Sequence, residues 1–281
     1  MSSPFTVGLV QMNSGPEIEP NIESASAFIR EAAAGGAKLI VTPENTTMIE
    51  TVREKQMARA YPEEKHPGVS AFSELARELG VWLSIGSMTI GLGGDKAANR
   101  SFLFGPDGGI AARYDKVHMF DVEVPDGQTY RESATFRPGE EAVLADLPWG
   151  RLGITICYDI RFPYLYRALA KAGASFITTS AAFTEMTGKA HWHVLQRARA
   201  IETGCFIFAA AQTGEHTNKR RTYGHSLVVA PWGEVLADGG TETGVVLAEI
   251  DPALVAKARS TVPSLENDRP FELKRRREAG E

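Results

Sequence analysis

Gly153-Ile154-Thr155-Ile156-Cys157-Tyr158-Asp159-Ile160-Arg161-Phe162-Pro163 runs from an apolar stretch through a polar turn to a proline. Arg151 to Ile156 reads as a strand and Pro163 as the start of a helix continuing through Leu165 to Ala172. Ala174 to Ser180 reads as the next strand. A strand-turn-helix corner can expose one side chain at a sheet edge, and a helix N-terminus beside it favours a thiolate. Cys157 occupies that corner. The competing explanation is a small buried hydrophobe, because free cysteine is often core.

The alternation extends in both directions. Upstream, Phe5 to Met12 and Ala37 to Thr42 are strand-like, and between them Asn21 to Ala34 places Ile22, Ala25, Phe28, Ile29 and Ala32 at helical spacing until Gly35-Gly36 stops it. Val69 to Leu79 reads as a helix ended by Gly80, and Val81 to Met88, Asn99 to Phe104 and Ile110 to Val117 read as strands. Downstream, Ala142 to Leu147 precedes the Cys157 strand, and Gly188 to Thr203 is a helix. Cys205 to Ala211, His225 to Val229, Val235 to Ala237 and Val245 to Ile250 complete the strands. The class is α/β with about ten strands. Many are apolar on both faces or alternate against a core, which predicts two stacked sheets with helices outside. With no linker or repeat, residues 1–260 read as one domain and 261–281 as a C-terminal tail available to a subunit interface.

A chain of 281 residues, 43% hydrophobic, buries roughly 75% of its unfolded surface. Its formal net charge of -5 argues against broad nucleic-acid or anionic-membrane binding. The basic runs Lys219-Arg220-Arg221 and Lys274 to Arg277 read as solvated surface or subunit contacts. Two cysteines in separate apolar runs, Cys157 and Cys205, predict free thiols in a reducing compartment. The N-terminus carries no basic leader, and no stretch approaches the ~20 apolar residues of a membrane helix. The expected setting is the cytoplasm.

Two more reactive side chains end apolar runs. Glu44 follows Leu39-Ile40-Val41-Thr42-Pro43, and Lys116 lies in Tyr114-Asp115-Lys116-Val117-His118. Singly, Glu44 is equally well a surface cap, and Lys116 an exposed strand lysine. With Cys157 they supply what a cysteine hydrolase needs: a thiol to attack, a carboxylate to move the proton and a cation to hold an oxyanion. Between Lys116 and Cys157, Met119 to Pro138 has no clear period, and a loop that long in a compact domain is usually functional or mobile. Glu132 lies within it.

These residues resemble the nitrilase superfamily of carbon-nitrogen hydrolases. The likeness rests on Pro43-Glu44-Asn45, Lys116 to Asp121, Arg131-Glu132-Ser133 and Ile156 to Pro163, in order and at matching spacing. His191-Trp192, Gln196 to Ala200, Gly224-His225-Ser226 and Pro231 to Glu234 add to it, so it covers nearly the whole chain, from about Thr6 to Pro252. The resemblance implies a four-layer α-β-β-α sandwich, a homodimer or higher homo-oligomer, and neither metal nor organic cofactor. It implies catalytic roles for Glu44, Lys116, Cys157 and Glu132. Lys116 to Pro125 is most similar to the Nit-type branch, which implies hydrolysis of a small anionic ω-amide, such as an α-keto acid amide or deaminated glutathione. A nitrilase using the same residues, or a non-catalytic scaffold, is the alternative.

Under that resemblance Cys157 attacks the carbonyl, Glu44 carries the proton, and Lys116 with the Tyr158 backbone N–H holds the oxyanion. Glu132 positions Lys116 or the amide nitrogen. Arg161 is the candidate partner of a substrate carboxylate, because guanidinium binds carboxylate through two prongs. Its alternative is an ion pair with Asp159 or Asp121. Phe183 and Thr184 are expected to line the pocket, and Met119 to Arg131 to close it. His191 and His193 do not form a metal pair, since two positions on a helix point about 200° apart. His118 and His225 read as supporting groups or buried hydrogen-bonded histidines, and Cys205 as core.

Overall fold

A computed structural model of the chain describes residues 3–123 and 129–275. From the N-terminus the elements are β1 (Phe5–Gln11), α1 (Ile18–Ala34), β2 (Ala37–Val41), α2 (Arg53–Ala58), α3 (Pro67–Leu79), β3 (Trp82–Gly91), β4 (Ala97–Phe104) and β5 (Ile110–Asp115). A short hairpin follows, β6 (Asp121–Glu123) and β7 (Thr129–Arg131), then β8 (Val143–Leu147), β9 (Gly150–Ile156), α4 (Pro163–Lys171), β10 (Ala174–Ser180), α5 (Glu185–Thr203) and β11 (Phe206–Ala209). A second hairpin, β12 (Thr213–Glu215) and β13 (Arg221–Tyr223), precedes β14 (Leu227–Val229), β15 (Val235–Asp238), β16 (Gly244–Ile250) and α6 (Ala253–Thr261).

Two six-stranded sheets result, ordered β16-β1-β2-β3-β4-β5 and β15-β14-β11-β10-β9-β8. Each has a parallel centre, β1-β2-β3 and β9-β10-β11, with antiparallel strands towards the edges. Side chains alternate faces along a strand. Val7, Leu9, Leu39 and Val41 of the first sheet join Leu152, Ile154, Phe176 and Phe208 of the second in one core. Val10, Ile40, Ile85 and Phe102 face the other way, onto Ala25 and Ile29 of α1 and Phe72 and Leu75 of α3. Helices α4 and α5 cover the second sheet through Leu165, Leu169, Trp192 and Ala200. Strands buried on both faces explain the near-continuous apolar runs. The α-β-β-α sandwich is the predicted architecture. Phe5 links its sheets by stacking on Trp149 at 4.1 Å and meeting Phe176 edge-on at 5.5 Å.

The structure corrects the sequence at short elements. Among the described residues twelve strands form the two sheets, against about ten expected, and the hairpins β6–β7 and β12–β13 are additional. Three-residue strands are too short to show a period. Helices α2 and α6 were also not expected. Helix α5 begins before Gly188, which serves close packing instead: a Cβ there would lie 2.4 Å from the Tyr223 ring. Past α6, Asp268 pairs with Arg167 and Lys171 of α4. Among the described residues no helix is long and apolar enough to cross a membrane.

Candidate active site

Glu44 stands just beyond β2, on a turn made possible by β3. Thr42 Oγ1 accepts from the Gly86 N–H at 3.0 Å, and a Cβ on Gly86 would lie 2.2 Å from the Thr42 carbonyl oxygen. Only glycine admits that approach. The Asn45 N–H donates to Ser87 Oγ at 2.8 Å, and Gln212 Nε2 donates to the Glu44 carbonyl at 3.0 Å. The side chain thus projects from the first sheet towards the second, where Glu44 Oε2 accepts from the Ala182 N–H at 2.8 Å.

Lys116 follows β5, and its Nζ donates to Glu44 Oε1 and to both oxygens of Glu132, each at 2.9 Å. Glu132 opens a short 3-10 turn, and its Oε2 accepts from the Phe120 N–H at 2.6 Å. Asn99 Nδ2, from β4, donates to Glu44 Oε1 at 3.0 Å and to Glu132 Oε1 at 3.1 Å. Cys157 begins the 3-10 turn after β9 with φ of 47°, a left-handed conformation that is costly for a residue with a Cβ. Its thiol shares the cavity with Glu44, Lys116 and Glu132. Lys116 is 2% exposed, Glu44 3% and Cys157 9%.

Burial sets the charges. It is the largest influence on Glu44 and would raise its pKa, but the Lys116 charge together with hydrogen bonds from Lys116 and the Ala182 N–H more than offsets it, so the carboxyl titrates below its usual range. Burial also opposes the Lys116 ammonium, yet Glu132 and Glu44 hold its pKa above the ordinary value. The Cys157 thiol is pushed well up, by burial first and by Glu44 second, with Lys116 compensating in part. The resting triad is therefore carboxylate, ammonium and thiol. The helix N-terminus that would favour a thiolate is not beside Cys157: α4 begins only at Pro163, and desolvation dominates at the thiol.

One buried carboxylate joins the two arms. Asp159 accepts from the Ile156 N–H at 2.9 Å and the Tyr114 hydroxyl at 2.7 Å, and from the His118 N–H at 3.1 Å and Nδ1–H at 2.6 Å. It thereby fastens the Cys157 turn to both flanks of Lys116.

The four residues open onto a cavity of about 370 Å³ that Tyr158, Phe183 and Thr184 also line. Arg161 is not among the lining residues. Its guanidinium nitrogens lie 3.3 and 3.4 Å from His191 Nδ1, with its Cζ 5.2 Å from the Phe183 ring centre. Neither expected ion pair forms, because Asp159 is taken up by Tyr114, His118 and Ile156, while Asp121 holds Ser133. The lining arginines are Arg131 and Arg220, so Arg220 departs from the solvated surface expected of its run. Of the segment expected to close the pocket, Phe120, Thr129, Tyr130 and Arg131 line the cavity, while residues 124–128 lie outside the described residues.

His193 joins His225 around Asp238, with ring nitrogens 3.0 and 2.9 Å from its carboxylate. Among the described residues this is the one trio of such side chains close enough to hold a metal ion, and hydrogen bonds within the trio already account for its geometry. Cys205 is fully buried, its thiol donating to the Ala174 carbonyl. Sequence reasoning missed Asn99, Asp159 as a clamp, Ala182 and Arg220.

The family profile described as carbon-nitrogen hydrolase matches residues 6–260. The chain belongs to the carbon-nitrogen hydrolase family. A deaminated glutathione amidase from Synechocystis sp. is 41% identical over 271 residues, covering 94% of this chain and 98% of the relative. Human omega-amidase NIT2 is 38% identical over 92% of this chain and 93% of its own length. The Caenorhabditis elegans NitFhit crystal structure superimposes with a TM-score of 0.89 at 36% identity, covering 95% of this carbon-nitrogen hydrolase and 66% of the longer NitFhit chain.

Proposed function

We propose that this carbon-nitrogen hydrolase converts a small linear carboxamide to its acid and ammonia through a thioester on Cys157. The observation that carries the proposal is one buried carboxylate, Glu44, hydrogen-bonded to the Lys116 ammonium on the same cavity wall as the buried Cys157 thiol. Cys157 Sγ attacks the amide carbon while Glu44 takes the thiol proton. The oxyanion is held by Lys116 Nζ and the Tyr158 N–H; losing one such donor costs ~10²–10³ in rate. When the tetrahedral adduct collapses, the C–N bond breaks and Glu44 returns the proton to the departing nitrogen. Water then attacks the thioester as Glu44 takes its proton, the C–S bond breaks, and Glu44 reprotonates the sulfur. Glu132 fixes Lys116 with both its oxygens.

The substrate class follows the relatives named deaminated glutathione amidase and omega-amidase: an amide with a carboxylate elsewhere in the molecule. Ammonia release from succinamate, α-ketoglutaramate and simple nitriles, and release of the dipeptide amine from deaminated glutathione, test it. Turnover of nitriles but no amide would make the enzyme a nitrilase, and full activity in Cys157→Ala would remove the mechanism.

The same proposal includes a cytoplasmic homodimer or higher homo-oligomer. Val194 and Ile201 of α5 and the neighbouring Trp232 are each more than half exposed, an apolar face suited to a second copy. Sedimentation of wild type and Val194→Glu checks it: a monomeric wild type would end that part of the proposal.

A further inference from the structure

The catalytic cluster has a charge problem that an anionic substrate must meet. Glu44 and Glu132 pair with a single ammonium, Lys116, leaving a formal excess of one negative charge beside the reacting thiol. Glu50, on the same cavity wall, adds another carboxylate, its Oε1 occupied by the N–H groups of Thr51 and Val52 and its Oε2 3.9 Å from Arg59 Nη1. A carboxylate near this cluster is repelled, so it needs a cation elsewhere in the cavity. Lys116 is held by its two glutamates and, in the proposed reaction, faces the oxyanion. Arg131 is half exposed and pairs with Glu123 at 2.9 Å.

Arg220 differs. Among the described residues it pairs with no carboxylate. One Nη2–H donates to the Ala182 carbonyl at 3.0 Å, and the guanidinium carbon lies 5.7 Å from the centre of the Tyr130 ring, another lining side chain. Its Nε is screened from water and has no hydrogen-bond partner. A buried donor left unmade is costly, and because Arg220 itself lines the cavity, a small turn of the guanidinium brings this donor to an anion held there. The placement is also apt. Ala182 gives its N–H to Glu44 Oε2 and its carbonyl to Arg220 Nη2, so a single residue separates the proton carrier from the free cation. That arrangement holds Arg220 Nη2 within about 10 Å of Glu44 Oε2.

Building on the amide-hydrolase proposal, we infer that Arg220 is the specificity residue that binds the substrate's distal carboxylate, selecting amides whose carboxylate lies a few bonds from the scissile carbonyl. The Nε–H and an adjacent N–H form a two-pronged fork matching a carboxylate's two oxygens. The Ala182 bond and the Tyr130 ring hold that fork in place.

Two measurements test this separately from the hydrolase proposal. The first is kcat/KM for succinamate against its uncharged methyl ester, in wild type, Arg220→Met and Arg220→Lys. Wild type should favour succinamate. Arg220→Met should reduce that preference about 10- to 100-fold, mainly through KM, and Arg220→Lys should recover part of it. The second is calorimetric binding of succinate, which needs no turnover, and Arg220→Met should weaken it at least about tenfold. Melting curves identify any variant that does not fold, in which case Arg220→Lys against wild type decides. An unchanged preference and unchanged succinate affinity would overturn Arg220's role while leaving the hydrolase intact. Arg220-dependent succinate binding without turnover of either amide would sustain the role and remove the amidase. A wild type that neither prefers succinamate nor binds succinate overturns the inference.

Discussion

Asp159 Oδ1 accepts from His118 Nδ1 at 2.6 Å, a contact between the second residue beyond Cys157 and the second beyond Lys116. The same carboxylate holds Tyr114, two residues before Lys116, at 2.7 Å. The separation of nucleophile and cation is therefore set by one fully buried side chain. Asp159→Ala leaves the Tyr114 hydroxyl and the His118 donors unpaired and should destabilise the protein by about 3 kcal/mol. Loosening of the Cys157 turn should lower kcat by about 10²-fold. Denaturant unfolding and steady-state kinetics would check both, and an unchanged kcat would remove the clamp.

Asn99 bridges Glu44 and Glu132 with one amide nitrogen, while its Oδ1 is buried without a partner. Asn99→Asp replaces the shared donor by a third carboxylate beside Lys116. Activity should fall by about 10²-fold or more, whereas Asn99→Ser should lose less. Equal activity in wild type and Asn99→Asp would show that the bridge contributes nothing.

Chemical activity should be flat across neutral pH. Glu44 titrates below the usual carboxylate range and Cys157 above the usual thiol range, so the carboxylate-thiol pair persists from about pH 6 to 8. A bell-shaped kcat profile centred inside that window would contradict the assigned charges.

Stability behaves differently at acid pH because of two histidines away from the site. His66 Nδ1 accepts the Gly68 N–H at the start of α3, and His216 bridges the Ser14 carbonyl and the Thr222 hydroxyl. Burial lowers each from 6.5 to about 4. A depressed folded pKa means the contribution is full above the unfolded value and is lost as pH falls towards the folded one. Stability should therefore decline from about pH 6.5 to pH 4, by up to about 3 kcal/mol for each histidine. Urea unfolding at stepped pH measures this, and a His216→Gln variant with the same slope as wild type would exclude that residue.

Gly86 has no room for a side chain against Thr42 and Pro43. Gly86→Ala should cost about 3 kcal/mol and shift the Glu44 turn, so activity falls further than stability. Melting temperature and ammonia release, measured together, would separate the two effects.

Much of this was legible in the chain. The apolar runs ending at Val41 and Ile156 are long because those strands are buried on both faces, and that same burial predicts two stacked sheets. The hairpin at Asp121–Glu123 was not legible, since three residues carry no period. The position of Arg161 was not legible for a related reason. Proximity to Cys157 along the chain suggested the pocket, but the turn directs the guanidinium to His191 and Phe183.

The sequence by itself determined which reactive groups the chain offers, a thiol, a carboxylate and an ammonium, because reactivity belongs to residue type and the local run places each at a strand end. Only the tertiary structure decided their states and partners. Whether Cys157 is thiol or thiolate depends on burial and on the Glu44 charge; Glu44 is itself held by Ala182 of the opposite sheet. That Arg220 faces the cavity depends on a hairpin whose strands are too short to announce themselves. Charge state and orientation are set by neighbours distant in sequence, and those neighbours exist only once the two sheets have packed.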